Sequence, residues 1–263
     1  MALDLSQTSW AAKTAGEVRA LAERDGSVLV VPVGSIEQHG NHLPVATDTL
    51  LADAVVHEGA ERVREDLPIL VTPPVWSGFS PHHMSFGGTL TLEFEDLLAV
   101  LEDVADAGLD NGFDAVLFCN GHGGNKSLVS SAVSTVGDAH PEAEVLALTY
   151  FDLAAEWADE VRDSDVGGMA HGGEFETSLV LHLYPELVRE DREAPNWDEP
   201  YDLGGQDLLV GGPLSVYRPF EEYSDTGAIG APDLASAEKG AEILTRLADD
   251  LEDLFREIHE RNA

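Results

Sequence analysis

Val28-Leu29-Val30-Val31-Pro32-Val33 runs without a break into Gly34-Ser35-Ile36-Glu37-Gln38-His39-Gly40-Asn41-His42-Leu43-Pro44-Val45-Ala46-Thr47-Asp48. The first six residues are apolar at every position, as expected of a strand buried on both faces of a parallel sheet. The loop that follows packs oxygen donors and imidazoles among glycines directly after that strand. A helix over residues 47 to about 65 comes next.

The same alternation continues outward. Pro68-Ile69-Leu70-Val71-Thr72, Ala115-Val116-Leu117-Phe118 and Val145-Leu146-Ala147-Leu148 read as further strands. Between them, residues 92 to about 108 read as a helix with Phe94, Leu97, Leu98, Leu101 and Val104 on one face, and residues 126–136 as another. Leu234 opens a final helix whose stripe is Leu234, Ala237, Ala241, Leu244, Leu247, Leu251, Leu254 and Ile258, with packing against the sheet as its default role. Strand–helix alternation of this kind implies an α/β fold with a mostly parallel sheet covered on both faces. Ligands then bind beyond the carboxyl ends of the strands. Residues 196–232, rich in Gly, Pro, Asp and Tyr, read as a long active-site loop or an interface segment. At 263 residues, nothing demands more than a single domain over 1–263.

Charge narrows the partners. The chain carries 50 acidic and 14 basic residues, a net charge of −36. The acids are spread through amphipathic stretches such as Leu247-Ala248-Asp249-Asp250-Leu251-Glu252-Asp253-Leu254. At about 1 M salt the Debye length is roughly 3 Å, so repulsion among surface carboxylates vanishes there and strains the fold in dilute buffer. A halophilic protein is the expectation. Neither nucleic acid nor an anionic membrane fits as partner, since both select a basic footprint. Cys119 is alone, so no internal disulfide forms, and it reads as a small buried apolar residue. Met1-Ala2-Leu3-Asp4-Leu5-Ser6 lacks the basic start and apolar run of a secretory leader, and a cytoplasmic address is expected.

A histidine taken singly is more often a satisfied core or surface residue than a ligand. Here a second glycine loop, Asn120-Gly121-His122-Gly123-Gly124-Asn125, also follows an apolar strand directly. Two such loops at two strand ends point to one metal site between them. Glu37, His39, Asp48 and His122 mix hard oxygen with imidazole, which suits Zn, Mn or Fe rather than Ca or Mg. A bridging Asp48 would make the site a two-metal centre, with ions about 3.5–4 Å apart. A third cluster is His171-Gly172-Gly173-Glu174-Phe175-Glu176. His171 is placed to protonate a leaving nitrogen, and Glu176 to bind metal or act as general base. The plainer alternative is that Glu174 opens a helix and His171 fills the preceding turn. A metal-dependent phosphoesterase ranks lower, because it needs cationic phosphate clamps and only Lys126 stands near the motifs, with Arg218 in the long loop. A non-catalytic metal-binding assembly protein would show a closed ligand shell.

The chain resembles the creatininase (creatinine amidohydrolase) family over nearly its whole length. The resemblance rests on the 34–48 stretch, Gly78-Phe79-Ser80-Pro81-His82-His83, Gly88-Thr89-Leu90-Thr91-Leu92, the 120–125 loop, the 171–178 stretch and Thr226-Gly227-Ala228-Ile229-Gly230. It implies a three-layer α/β/α sandwich, a homo-oligomer that is often a hexamer, and two divalent metal ions. It also implies hydrolysis of a non-peptide or cyclic amide C–N bond in a small-molecule substrate. By the match, Glu37, Asp48 and His122 hold one metal, and His39 with bridging Asp48 holds the second. His171 corresponds to a catalytic, substrate-contacting histidine, and Ser80 and Gly123 to substrate contacts. Two departures stand out. Creatinine-cleaving members carry Tyr and a metal-binding Glu where this chain has Gly123 and Gly124, and Trp where it has Gly167. Glu176 is the candidate to supply the missing ligand. Relatives with the Gly-Gly version include archaeal formamidopyrimidine ribonucleotide deformylases of flavin and deazaflavin biosynthesis, so deformylation is the alternative reaction.

Overall fold

A computed structural model describes residues 5–263; residues 1–4, most of the stretch read for a leader, lie outside the described residues. Four strands build the sheet: β1 (Val28–Val33), β2 (Ile69–Val71), β3 (Ala115–Asn120) and β4 (Glu144–Thr149), in the order β2-β1-β3-β4. Every pairing is parallel. Pro32 is tolerated in the central β1 because its ladder with β2 ends at Val30 opposite Val71, leaving no bond for an N–H there to make.

Among the described residues, seven helices surround the sheet: α1 (Ala15–Ala22), α2 (Thr47–Val63), α3 (Phe94–Asp110), α4 (Lys126–Ala139), α5 (Ala158–Val161), α6 (Glu174–Leu183) and α7 (Ala237–Asn262). Alternate strand residues point to opposite faces. Leu29, Val31, Val33, Val116 and Phe118 pack with α1, α3 and α4, while Val28, Val30, Ala115, Leu117 and Cys119 pack with α2, α6 and α7. Two cores share one sheet, which gives the α/β/α sandwich.

The last helix differs from the sequence reading at its start. Pro232–Leu234 is a separate 3-10 turn, and α7 begins only after Ser236, whose hydroxyl accepts a hydrogen bond from the Lys239 N–H at 3.1 Å. Leu234 is therefore exposed, and the buried stripe gains Ile243 and Phe255 instead. The α7 stripe packs chiefly against α2 and α6 and only marginally against the sheet, which corrects the default role expected from its sequence. Gly240 makes the α6 crossing possible, since a Cβ there would sit 1.9 Å from the Ser178 carbonyl oxygen. Among the described residues, no helix is long and apolar enough to cross a membrane.

Residues 196–232 hold no regular element beyond short 3-10 turns. They fold over the carboxyl ends of the strands, and Trp197, Glu199, Tyr217, Arg218, Phe220 and Tyr223 line a cavity there together with Glu37, His122 and His171.

Candidate metal centre

Each ligand candidate is delivered by an element end. Glu37 and His39 stand in the loop after β1, and His122 in the loop after β3. Asp48 and Glu176 occupy the first turns of α2 and α6, where the positive end of a helix favours a carboxylate. Two asparagines hold the loops. Asn120 brackets His122, accepting from its N–H at 3.1 Å and donating to its carbonyl at 2.7 Å. Asn125 donates to the Gly34 carbonyl at 3.1 Å and accepts from Phe79 N–H at 2.9 Å, tying the ends of β1 and β3 to the 78–83 turn.

Glu37, His39, Asp48, His122, His171 and Glu176 all converge, and all are buried. His122 Nδ1 lies 3.1 Å from Glu37 Oε2 and 3.2 Å from Asp48 Oδ2. His39 Nε2 lies 3.0 Å from Asp48 Oδ1 and 3.7 Å from Glu176 Oε1. Three groups among the described residues could hold an ion: Glu37, His39 and Asp48; His39, His171 and Glu176; and Glu37, His83 and His171.

The tautomers are fixed by what the far ring nitrogens touch. Ser35 donates to Glu37 Oε2 at 3.2 Å, so its oxygen accepts from Ser80 at 2.6 Å. The Ser80 oxygen then accepts from His122 Nε2–H at 3.1 Å, with the Phe79 carbonyl as a second acceptor at 3.2 Å. His39 Nδ1–H donates to the Glu37 carbonyl at 3.2 Å. In both rings the remaining nitrogen therefore faces carboxylates, an arrangement reconciled by positive charge between them, either a proton on the ring or a metal ion. His39 Nε2 and Asp48 Oδ2 accordingly have no hydrogen-bond partner among the described residues, close as their neighbours are. The residues fit a metal.

Electrostatics agree. Burial works to lower the His122 pKa, but Glu37 and Asp48 outweigh it and hold it up at about 10. His39 is likewise raised well above its usual value against burial, by Asp48 and Glu176. Burial would raise Glu37, yet His122 and His83 bring it well below the ordinary carboxylate range. The cluster demands positive charge, and protons take the place that a metal would fill.

His171 behaves differently. Burial and the neighbouring His39 and His83 push its pKa well below the usual value, so the ring is neutral. Its Nε2–H donates to the Gln38 carbonyl at 2.7 Å, and Nδ1 stands 3.7 Å from Glu37 Oε1. His83 is a further member. Gln38 Oε1 accepts from Gly40 N–H at 2.9 Å, which fixes the amide so that Nε2 donates to His83 Nδ1 at 2.7 Å. The His83 proton is then on Nε2, 3.2 Å from Glu37 Oε1, and His83 orients Glu37 rather than ligating.

Not every expected residue reaches the reaction space. Ser80 is fully buried, does not line the cavity, and holds the His122 tautomer from behind. Gly123 does line the cavity, and a Cβ there would meet nothing within 4 Å. Gly124 is closed to any side chain, because a Cβ would lie 2.4 Å from His122 Nε2 and 2.7 Å from the Phe79 carbonyl oxygen. Glu176 comes to His39 from α6 instead, with Oε2 anchored by Gly172 N–H at 2.6 Å and Oε1 turned to the imidazole. Glu174 does open α6, where it pairs with Lys239 and accepts from Asp163 N–H at 2.8 Å. His42 leaves the cluster: its Nε2 bonds the Gly172 carbonyl at 2.9 Å, and burial lowers its pKa to about 4. At Gly167, which has φ +101°, a Cβ would stand 3.4 Å from the Trp197 carbonyl oxygen, so a segment from elsewhere in the chain fills that side.

Residues 11–255 match the sequence profile of the creatininase family, described as creatinine amidohydrolase. The chain belongs to the creatininase family. It is 33% identical over 229 residues to a mycofactocin precursor peptide peptidase of Mycobacterium ulcerans, covering 84% of this chain and 82% of the relative. It is 30% identical over 247 residues to a creatinine amidohydrolase of Pseudomonas putida, covering 88% and 89%. A solved structure named as creatininase Mn superposes with a TM-score of 0.82 at 28% identity, covering 96% of this chain and 98% of that one. The creatininase fold and a family of hydrolases are thereby established for this chain.

Proposed function

We propose that this creatininase-family protein is a metal-dependent amidohydrolase with two divalent ions, Zn, Mn or Fe, acting on an amide C–N bond in a substrate larger than creatinine. Glu37, Asp48 and His122 would hold one ion, and His39, Asp48 and Glu176 the other. The observation that carries this reading is the pair of imidazoles whose far nitrogens are committed while their lone pairs face buried carboxylates. The three carboxylates would offset three of the four charges of two divalent ions.

When bound, the ions would polarise the amide carbonyl and lower the pKa of water towards about 7. The rest falls to the chain. Neutral His171, held through Nε2, presents Nδ1 to the cluster, takes a proton there and returns it to the departing nitrogen. Phe220, 4.8 Å from the His171 ring, walls the proton path from bulk water. Gly123 and the segment around Trp197 leave a cavity of about 390 Å³, within the ~300–1,000 Å³ of pockets for drug-sized ligands. Creatinine, a single small ring, leaves most of it unused. The peptidase relative keeps peptide-type amides within the class, which is wider than the non-peptide restriction.

Two features weigh against the other classes. Arg218 is the single Lys or Arg on the cavity wall, too few for a phosphoryl clamp. Glu37 and His122 reach the cavity, so the ligand shell is open, unlike a structural site. The test is a panel assay on protein loaded with Zn, Mn or Fe in multimolar KCl, using a formamidopyrimidine ribonucleotide, creatinine and short peptides. Metal-dependent release of formate or an amine from a substrate other than creatinine supports the reading; hydrolysis confined to creatinine, or a phosphate ester cleaved instead, defeats it.

A further inference from the structure

The cavity that reaches the metal cluster is also lined by two hydrogen-bond donors with no acceptor among the described residues. Arg218 lines the same cavity as Glu37, His122 and His171. Its guanidinium lies 5.7 Å from the ring centroids of both Tyr201 and Tyr223, and it makes no hydrogen bond or ion pair to any described residue. That is unexpected in a chain with 50 acids and 14 bases. The indole of Trp197 stacks on Tyr223 at 5.3 Å, and its Nε1–H is buried without an acceptor.

Nearby carboxylates are already committed elsewhere. Asp207 takes Arg162 at 2.8 Å and the N–H groups of Gly167, Leu209 and Val210. Glu199 accepts from Tyr201 N–H at 3.2 Å and from the Tyr223 hydroxyl at 3.4 Å. A guanidinium laid on aromatic rings keeps its in-plane N–H groups for another partner. An anion matches such a fork in two parallel bonds.

We propose that Arg218 and Trp197 form an anion subsite, and that the substrate carries a carboxylate or phosphate beside the amide cleaved at the metal cluster. This deepens the amidohydrolase reading and rests on it for the identity of the bond broken.

The test is binding rather than turnover, so that failure of the hydrolase reading leaves it readable. Calorimetry on the metal-loaded protein compares N-acetylphenylalanine with N-acetylphenylalaninamide, and phenyl phosphate with phenol. At least one anion is expected to bind about tenfold or more tightly than its neutral counterpart, the scale of charge-assisted bonds to one guanidinium. Which anion wins assigns carboxylate or phosphate. In Arg218→Gln the preference disappears, in Arg218→Lys part of it survives, and Trp197→Phe lowers it with the aromatic wall kept. No preference in the wild type, with or without binding, overturns the proposal. A preference unchanged in Arg218→Gln also overturns it and assigns the anion to the metal ions.

Discussion

His171 Nε2 lies 2.7 Å from the carbonyl oxygen of Gln38, and that contact decides which face of the imidazole works. The carbonyl accepts only, so the proton is on Nε2 and the Nδ1 lone pair points to the cluster. The residue that precedes His39 thus orients the base through its backbone and His83 through its side chain. Replacing His171 by Ala is expected to lower kcat by roughly 10²–10⁴-fold, the usual share of a general acid–base group. Metal content, measured by mass spectrometry, is expected to stay at the wild-type value. Loss of metal together with activity would make His171 a ligand instead.

Glu176 is proposed as the ligand that position 124 cannot supply. Glu176→Gln keeps the bond from Gly172 N–H but removes the charge turned to His39. About half the bound metal is expected to be lost, with little change in melting temperature of the metal-free protein. Full occupancy in this variant would return the second site to an unknown donor.

Proton linkage gives a pH test. In the metal-free protein, burial opposes and Glu37 and Asp48 enforce a His122 pKa raised to about 10. A raised folded-state pKa stabilises fully below the unfolded value of about 6.5, and the contribution is lost as pH rises through the folded-state value. The metal-free protein is therefore expected to melt at steadily lower temperature as pH climbs from about 6.5 to about 10. Metal loading near pH 7 should release protons, so binding enthalpies differ between buffers of different ionisation enthalpy. Identical enthalpies in two such buffers would mean that the imidazoles were already unprotonated.

Surface charge sets the salt response. With a net charge of −36, dilution of KCl from multimolar to low concentration is expected to lower the melting temperature as screening is withdrawn. A melting temperature indifferent to KCl would remove the halophilic reading.

The strands and the two ligand loops were legible because each is a local signal: an unbroken apolar run, then glycines and donors. Asp48 and His122 stand in those two stretches, whereas Glu176 follows glycines without an apolar run and was singled out as the replacement ligand through the family resemblance. Ser80 was not, since its partner Ser35 is distant in sequence and only the meeting of two loops turns a supposed substrate contact into a clamp on His122. His83 shares that fate through Gln38. Leu234 looked like part of the last helix because its apolar side chain keeps the period, while Pro232 and the Ser236 cap set the true start. Trp197 and Arg218 stand in an aperiodic segment, where neither face nor neighbour follows from spacing.

The measurement that tests the central claim most directly is a titration of Mn(II) into the chelator-stripped protein, with amide cleavage followed on a substrate that the panel identifies. Activity absent from the stripped protein, rising to a plateau as the second equivalent per chain is bound, is the predicted result. Undiminished cleavage by the stripped protein, or a plateau at one equivalent, would contradict a two-metal centre built on Glu37, His39, Asp48, His122 and Glu176.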